Sequence, residues 1–208
     1  MRTPTTLLLL RHGQTTWNAE RRWQGWSDAP LSSLGEQQAR DAALHLRDAG
    51  LTRACSSDLS RALRTAELVA SRLGLRGSVF VDAGLRERDV GVFSGRLTSE
   101  LVEVYPECFD PVSGRAISIP EAEPPEALVE RAVAALIGLA ARFPSDRLLV
   151  VSHGGLIGAV ERFVGVERGS SVPNLGGRWL EVSADGVLVG GEAYVPIEPE
   201  LLTAPPSE

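Results

Sequence analysis

The sequence predicts an α/β fold of three layers: a mostly parallel central sheet, helices on both faces, and an inserted lid region. Three observations carry this reading. Short apolar runs alternate with helix-spaced segments along most of the chain, the order that produces a parallel sheet covered on both sides. Residues 6–11 and 147–152 are dominated by consecutive apolar side chains, as strands buried on both faces are. Residues 97–125 break the alternation with prolines and scattered apolar side chains, which marks an insertion over one end of the sheet.

In chain order, residues 6–11 read as a buried strand after Pro4. Residues 33–49 read as an amphipathic helix with Leu34, Gln38, Ala42 and Leu46 on one face and Gly50 closing it. Residues 53–56 form a short strand. Asp58 is expected to cap the next helix, which runs to Leu73 and ends at Gly74. A third strand is expected at 78–82, a short helix near 101–105, and an Ala-rich helix at 126–143. A strong strand at 147–152 feeds a helix at 155–164. Strands at 178–182 and 187–195 are joined by the turn Ala184-Asp185-Gly186. From 196 onward the chain is rich in Pro and Glu and is expected to be a loose tail. No repeat or Gly/Ser linker interrupts the chain, so residues 1–208 read as a single domain.

The bulk numbers narrow the function. Of 208 residues, 43% are hydrophobic and 23% charged, as in an ordinary globular protein. The net charge of −6 argues against a nucleic-acid partner, which usually meets a basic field. Every basic side chain is Arg and none is Lys, so a Schiff base and a P-loop lysine are both ruled out. Anions would be held by Arg forks, His or backbone amides. Cys55 and Cys108 lie far apart with no metal-ligand spacing and read as free thiols. No apolar run is long enough for a signal-peptide core or a membrane span. These features lead to the expectation of a cytoplasmic protein with no membrane partner, no metal and no cofactor.

Two segments share one design, Leu10-Arg11-His12-Gly13 and Val151-Ser152-His153-Gly154-Gly155. Each is a buried strand that ends in His and then Gly. In parallel sheets ligands bind beyond the carboxyl ends of the strands, so both histidines point to the functional edge. The glycines let backbone amides approach an oxyanion. His45 lies on the polar face of a helix and is left as structural.

Around these residues the sequence resembles the histidine phosphatase superfamily, also called phosphoglycerate-mutase-like. The match runs through Arg11-His12-Gly13-Gln14-Thr15-Thr16-Trp17-Asn18, then Gln24-Gly25-Trp26-Ser27-Asp28-Ala29-Pro30-Leu31-Ser32 and Gly35-Glu36. It continues in Ser56-Ser57-Asp58-Leu59-Ser60-Arg61-Ala62, Leu85-Arg86-Glu87 and Ser152-His153-Gly154-Gly155. The blocks keep the family's order from residue 6 to about residue 165.

The resemblance implies roles. His12 is the nucleophile that forms a phosphohistidine. Arg11 and Arg61 hold the phosphoryl oxygens, and His153, if protonated, adds a third cationic donor. Glu87 is the general acid and then the base. Asn18, Gln24, Gly25, Arg88 and Gly154 are the expected substrate-binding positions. The residues also allow blander readings: Arg61 solvated on its helix, Glu87 paired with Arg86 or Arg88, and Trp17, Trp23 and Trp26 in packing.

Within the family the sequence leans to a phosphatase acting on a small phosphorylated metabolite. Mutase relatives carry Ser or Thr where Gln24 stands, and a Lys with a tandem Arg pair in the insertion. Here the insertion offers only Arg96 and Arg115, against Glu100, Glu103, Glu107, Asp110, Glu121 and Glu123. Arg88 does match a mutase position. Pro124 replaces the Ser of a Glu-Ser pair found in many relatives. Val102, Tyr105, Phe109, Ile117 and Ile119 either line a substrate pocket or pack the insertion on itself. A phosphoglycerate mutase and a non-catalytic binder of phosphorylated ligands are the alternatives. The oligomeric state stays open, a homodimer included.

Overall fold

The structure, a computed structural model, describes residues 4–166 and 171–195. The expected loose tail falls outside the described residues. Six strands, β1 (Thr5–Arg11), β2 (Arg53–Ser56), β3 (Phe80–Val81), β4 (Arg147–Ser152), β5 (Gly177–Val182) and β6 (Leu188–Tyr194), form one sheet in the order β3-β2-β4-β1-β5-β6. The first four are mutually parallel, and the hairpin β5–β6 is added antiparallel beside β1. The sheet is therefore mostly parallel, as the alternation of elements predicts.

The three layers follow from the period of two in a strand. Leu7 and Leu9 of β1, with Leu148 and Val150 of β4, join one core cluster under α5 (Pro125–Arg142) and α6 (Gly154–Phe163). Leu8, Leu10, Leu149 and Val151 face the other way, into a cluster with α2 (Ser33–His45) and α3 (Ser60–Leu73). All four leucines of β1 are fully buried. Burial of each is worth about 1.5–3 kcal/mol, which fixes β1 in the middle of the molecule.

Three expectations are corrected. The α2 helix ends at His45, and the chain then turns to Gly50. Its buried stripe is Gly35, Gln38, Ala39, Ala42 and Ala43, while Leu34 is 40% exposed. Gln38, Ala42 and Leu46 are buried as expected, and only Leu34 departs: Gly35 takes its place, directly against the backbone of Gln14 with no room for a Cβ. Second, Asp58 does not cap α3. The Ser60 N–H donates to Asp28 Oδ1 at 2.7 Å, and Asp58 instead accepts the Arg86 fork, Nε on Oδ1 at 2.8 Å and Nη2 on Oδ2 at 2.5 Å. A bidentate guanidinium is a stronger partner than one backbone amide. Third, the strand expected at 78–82 is only Phe80–Val81.

The short helix α1 (Thr16–Ala19) follows β1, and the insertion carries α4 (Thr98–Val104), which shares a small core with the segments at Trp23 and at Val90–Phe93. Val90, Phe93, Leu101, Cys108 and Phe109 are buried there, with Trp23, Tyr105 and Ile119 packed against them. Phe93 and Phe109 stack at 5.6 Å. Of the five apolar residues singled out in the insertion, Tyr105, Phe109 and Ile119 thus serve packing, while Val102 and Ile117 face solvent. No helix among the described residues is long and apolar enough to cross a membrane.

Candidate active site

Because β1 and β4 are adjacent and parallel, with Arg11 opposite Ser152, the two histidines emerge side by side. The His12 N–H donates to Ser152 O at 3.0 Å, and the imidazole centroids lie 5.2 Å apart at 61°. Relative exposure is 3% for His12 and 0% for His153. His12 Nδ1 lies 2.7 Å from Gly13 O. A carbonyl only accepts, so Nδ1 carries the proton and Nε2 keeps the lone pair.

The charges around this pair agree with a neutral ring. Burial, followed by the Arg61 and Arg11 guanidiniums, holds His12 well below its ordinary pKa. Burial does the same to His153, helped by Arg61, His12, Arg11 and Arg131. These effects favour the neutral ring of His153, and both of its ring nitrogens are buried without a hydrogen-bond partner among the described residues. Arg11 Nε is likewise buried and unpartnered, while its Nη1 donates to Val172 O at 2.6 Å.

Arg61 is 1% exposed, so the solvated reading is corrected. It enters from the first turn of α3 and donates to Gly25 O and Ser27 O, both at 2.8 Å. Gly25 can take this turn because its φ is +49° and a Cβ would meet Val90 Cγ2 at 2.6 Å. Thr65 joins the two halves of the site: its Oγ1 accepts the Gly13 N–H at 3.1 Å and donates to Arg61 O at 2.7 Å. Asn18 caps α1 by accepting the Thr15 N–H at 3.1 Å, and Gln24 Oε1 accepts from Thr15 Oγ1 at 3.1 Å. Both thus bond to Thr15, three residues after His12.

Glu87 stands at the N-terminus of α6, the helix that follows His153. Its carboxylate accepts from Gly155 N at 3.0 Å, Leu156 N at 3.1 Å and Arg88 N at 2.8 Å. The expected alternative, an ion pair with Arg86 or Arg88, is corrected: Arg86 is engaged with Asp58, and Arg88 Nε donates to Glu123 O at 2.8 Å. Arg88 also borders an open, largely apolar cavity of about 680 Å³ between α5 and α6. A Cβ on Gly154 would lie 3.4 Å from Arg11 Cζ, in ordinary contact, so the Arg11 guanidinium lies beside the start of α6.

With this geometry in hand, the profile of the histidine phosphatase superfamily (branch 1) matches residues 7–171. The chain belongs to the histidine phosphatase superfamily. A probable phosphoglycerate mutase, GpmB, of Escherichia coli is 41% identical over 157 residues, 73% of this chain and 71% of that protein. YhfR of Bacillus stearothermophilus superposes with a TM-score of 0.81 at 29% identity, covering 92% of this chain and 98% of that one. A mycobacterial glucosyl-3-phosphoglycerate phosphatase, solved in complex with VO3, gives a TM-score of 0.74 at 28% identity and covers 92% and 98% of the two chains. The superfamily relatives of this chain thus include both phosphatases and a mutase.

Sequence reasoning missed one wall of this superfamily site. The segment before β5 supplies Val172 O to Arg11, and Asn174 Nδ2 donates to His12 O at 2.9 Å. Leu175 is held there at a φ of +57°. No periodicity marks these residues; only the pairing of β5 with β1 brings them in. Among the described residues, no three His, Cys, Asp or Glu side chains group as metal ligands would.

Proposed function

We propose that the chain is a phosphomonoester hydrolase that works through a phosphohistidine on His12 and acts on small phosphorylated metabolites. The observation that carries this is a buried imidazole whose Nδ1 is fixed by Gly13 O, leaving Nε2 with its lone pair, while burial and the nearby Arg61 and Arg11 guanidiniums favour the neutral ring. Such a nitrogen can attack phosphorus without first losing a proton. Arg11 and Arg61 then face the non-bridging oxygens. An arriving phosphate dianion raises the proton affinity of His153, which becomes a third donor.

In the first half-reaction Nε2 bonds to phosphorus as the ester P–O bond breaks, and Glu87 gives the leaving oxygen its proton. In the second, Glu87 takes a proton from water, the water oxygen bonds to phosphorus, and the P–N bond breaks to restore neutral His12. Asn18 and Gln24 line the loop beside the phosphate. The two guanidiniums repel a cation, which supports metal-independent chemistry in this reading.

The named relative that is 41% identical favours a second reading, a phosphoglycerate mutase. One experiment separates the two. Wild-type protein in excess EDTA is quenched rapidly after mixing with ³²P-labelled ester, beside a coupled mutase assay with and without bisphosphoglycerate. The expected result is an acid-labile, base-stable label that His12→Ala lacks, followed by phosphate release, with mutase turnover far slower. Mutase turnover that exceeds hydrolysis overturns the phosphatase reading. A label of the opposite stability overturns the nucleophile.

A further inference from the structure

The segment that carries Glu87 has little regular structure beyond one 3-10 turn at Ala83–Leu85. Its conformation must be imposed from outside, and its carbonyls show how. Gly84 O accepts from Arg131 Nη1 at 3.0 Å, and Arg86 O from the same nitrogen at 2.7 Å. Leu85 O accepts from Ser152 Oγ at 2.8 Å. Glu87 O accepts from Arg131 Nη2 and from Trp26 Nε1, each at 2.7 Å. Four consecutive carbonyls are thus held by side chains from three distant parts of the chain, and Arg131 alone holds three of them.

Arg131 is itself locked. Its Nε donates to Glu123 Oε1 at 2.6 Å and its Nη2 to Glu123 Oε2 at 2.8 Å. With the three carbonyls, that gives all five guanidinium N–H donors a partner. Glu123 is the end of the insertion, and its own backbone grips the same loop: its N–H donates to Asp89 O at 3.0 Å, and its carbonyl accepts from Arg88 Nε at 2.8 Å. A lysine has three donors and no planar fork, so it cannot reproduce this arrangement.

We propose that Arg131, clamped by Glu123, is a positioning residue for the acid–base group: it sets where the Glu87 carboxyl stands and makes the end of the insertion part of that setting. Arg131 does not touch the reacting atoms and acts through Glu87. The inference rests on the reading of Glu87 as the acid. Its strength comes from geometry, since a misplacement of about 1 Å at a catalytic group costs on the order of 10²-fold.

The test compares pre-steady-state phosphoryl transfer from an alkyl phosphate and from p-nitrophenyl phosphate. The proteins are wild type, Arg131→Lys and Glu123→Gln, each alone and combined with Glu87→Gln. An alkoxide needs a proton to leave and p-nitrophenolate does not. Either single variant should slow the alkyl ester ~10–10²-fold and the aryl ester by less than about threefold. On top of Glu87→Gln, neither should cost the alkyl ester anything more. Equal losses on both esters, losses that add to Glu87→Gln, wild-type rates, or failure of both variants to fold would each overturn the inference. A wild type that transfers no phosphoryl group fails the functional reading, and the inference with it. A wild type that transfers while Arg131→Lys strikes both esters alike fails the inference alone.

Discussion

His153 is an imidazole wholly enclosed, beside two guanidiniums and a second imidazole, with no partner for either nitrogen among the described residues. It tolerates this only as the neutral ring. Its folded pKa lies below the unfolded value of 6.5, and so does that of His12. Below about pH 6.5 the unfolded chain therefore binds protons that the folded chain refuses. The stabilising contribution is complete above that pH and drains away as pH falls toward the folded value. The melting temperature should drop between about pH 7.5 and 5.5, and His153→Asn, which cannot titrate, should flatten that drop. An identical slope in the variant would contradict the account. At this scale the sequence was legible where a side chain's setting is local: His12 and His153 are strand ends followed by Gly, and that pattern alone names them. It was not legible where the partner is remote. Asp58 has the look of a cap, and only the fold brings Arg86 to it.

Elements meet through their backbones as well as their side chains. The loop after His12 lies on the first turn of α2 so closely that a Cβ on Gly35 would come within 1.9 Å of Gln14 O, and one on Gly13 within 2.5 Å of Gly35 O. Gly35→Ala must push this loop away, and should cost at least about 1–3 kcal/mol of stability along with much of the phosphoryl-transfer rate. Gly138→Ala, on α5 with nothing within 4 Å of its missing Cβ, is the control and should be neutral or stabilising by about 0.4–1 kcal/mol. Denaturant midpoints for the two variants check the contrast, and a Gly35→Ala midpoint equal to that of Gly138→Ala would sink it. Periodicity identified most strands and helices because each buries a face. The same rule placed Gln38, Ala42 and Leu46 of α2 correctly and erred only at Leu34, since a glycine pressed on backbone leaves no apolar signature. It also gave no hint of the loop at 84–88, whose order comes from Arg131, Ser152 and Trp26.

For the whole molecule, the class of fold was legible and the order of strands was not. Alternation tells which face of a strand is buried and is silent on which strand lies next to it. That silence hid the wall at 172–175, which depends on β5 lying beside β1. The strand order also has a consequence during synthesis. β1 leaves the ribosome before the other five strands of the sheet, yet it belongs in the middle of it, and Arg147, opposite Thr6 in its parallel partner β4, is about 140 residues later. At 5–20 residues per second, a run of four leucines waits roughly 7–30 s for the strand that covers its edge. Until then the nascent chain carries an aggregation-prone segment with no sheet to join. A chain stopped after α5 should therefore lack a protected core, with β1 amides exchanging as freely as those of a disordered peptide; slow exchange in such a fragment would show that β1 finds another partner. In the full chain, the strand that joins β1 to β2 is the same one that delivers His153, so a ribosome stalled before β4 leaves His12 without its neighbouring imidazole.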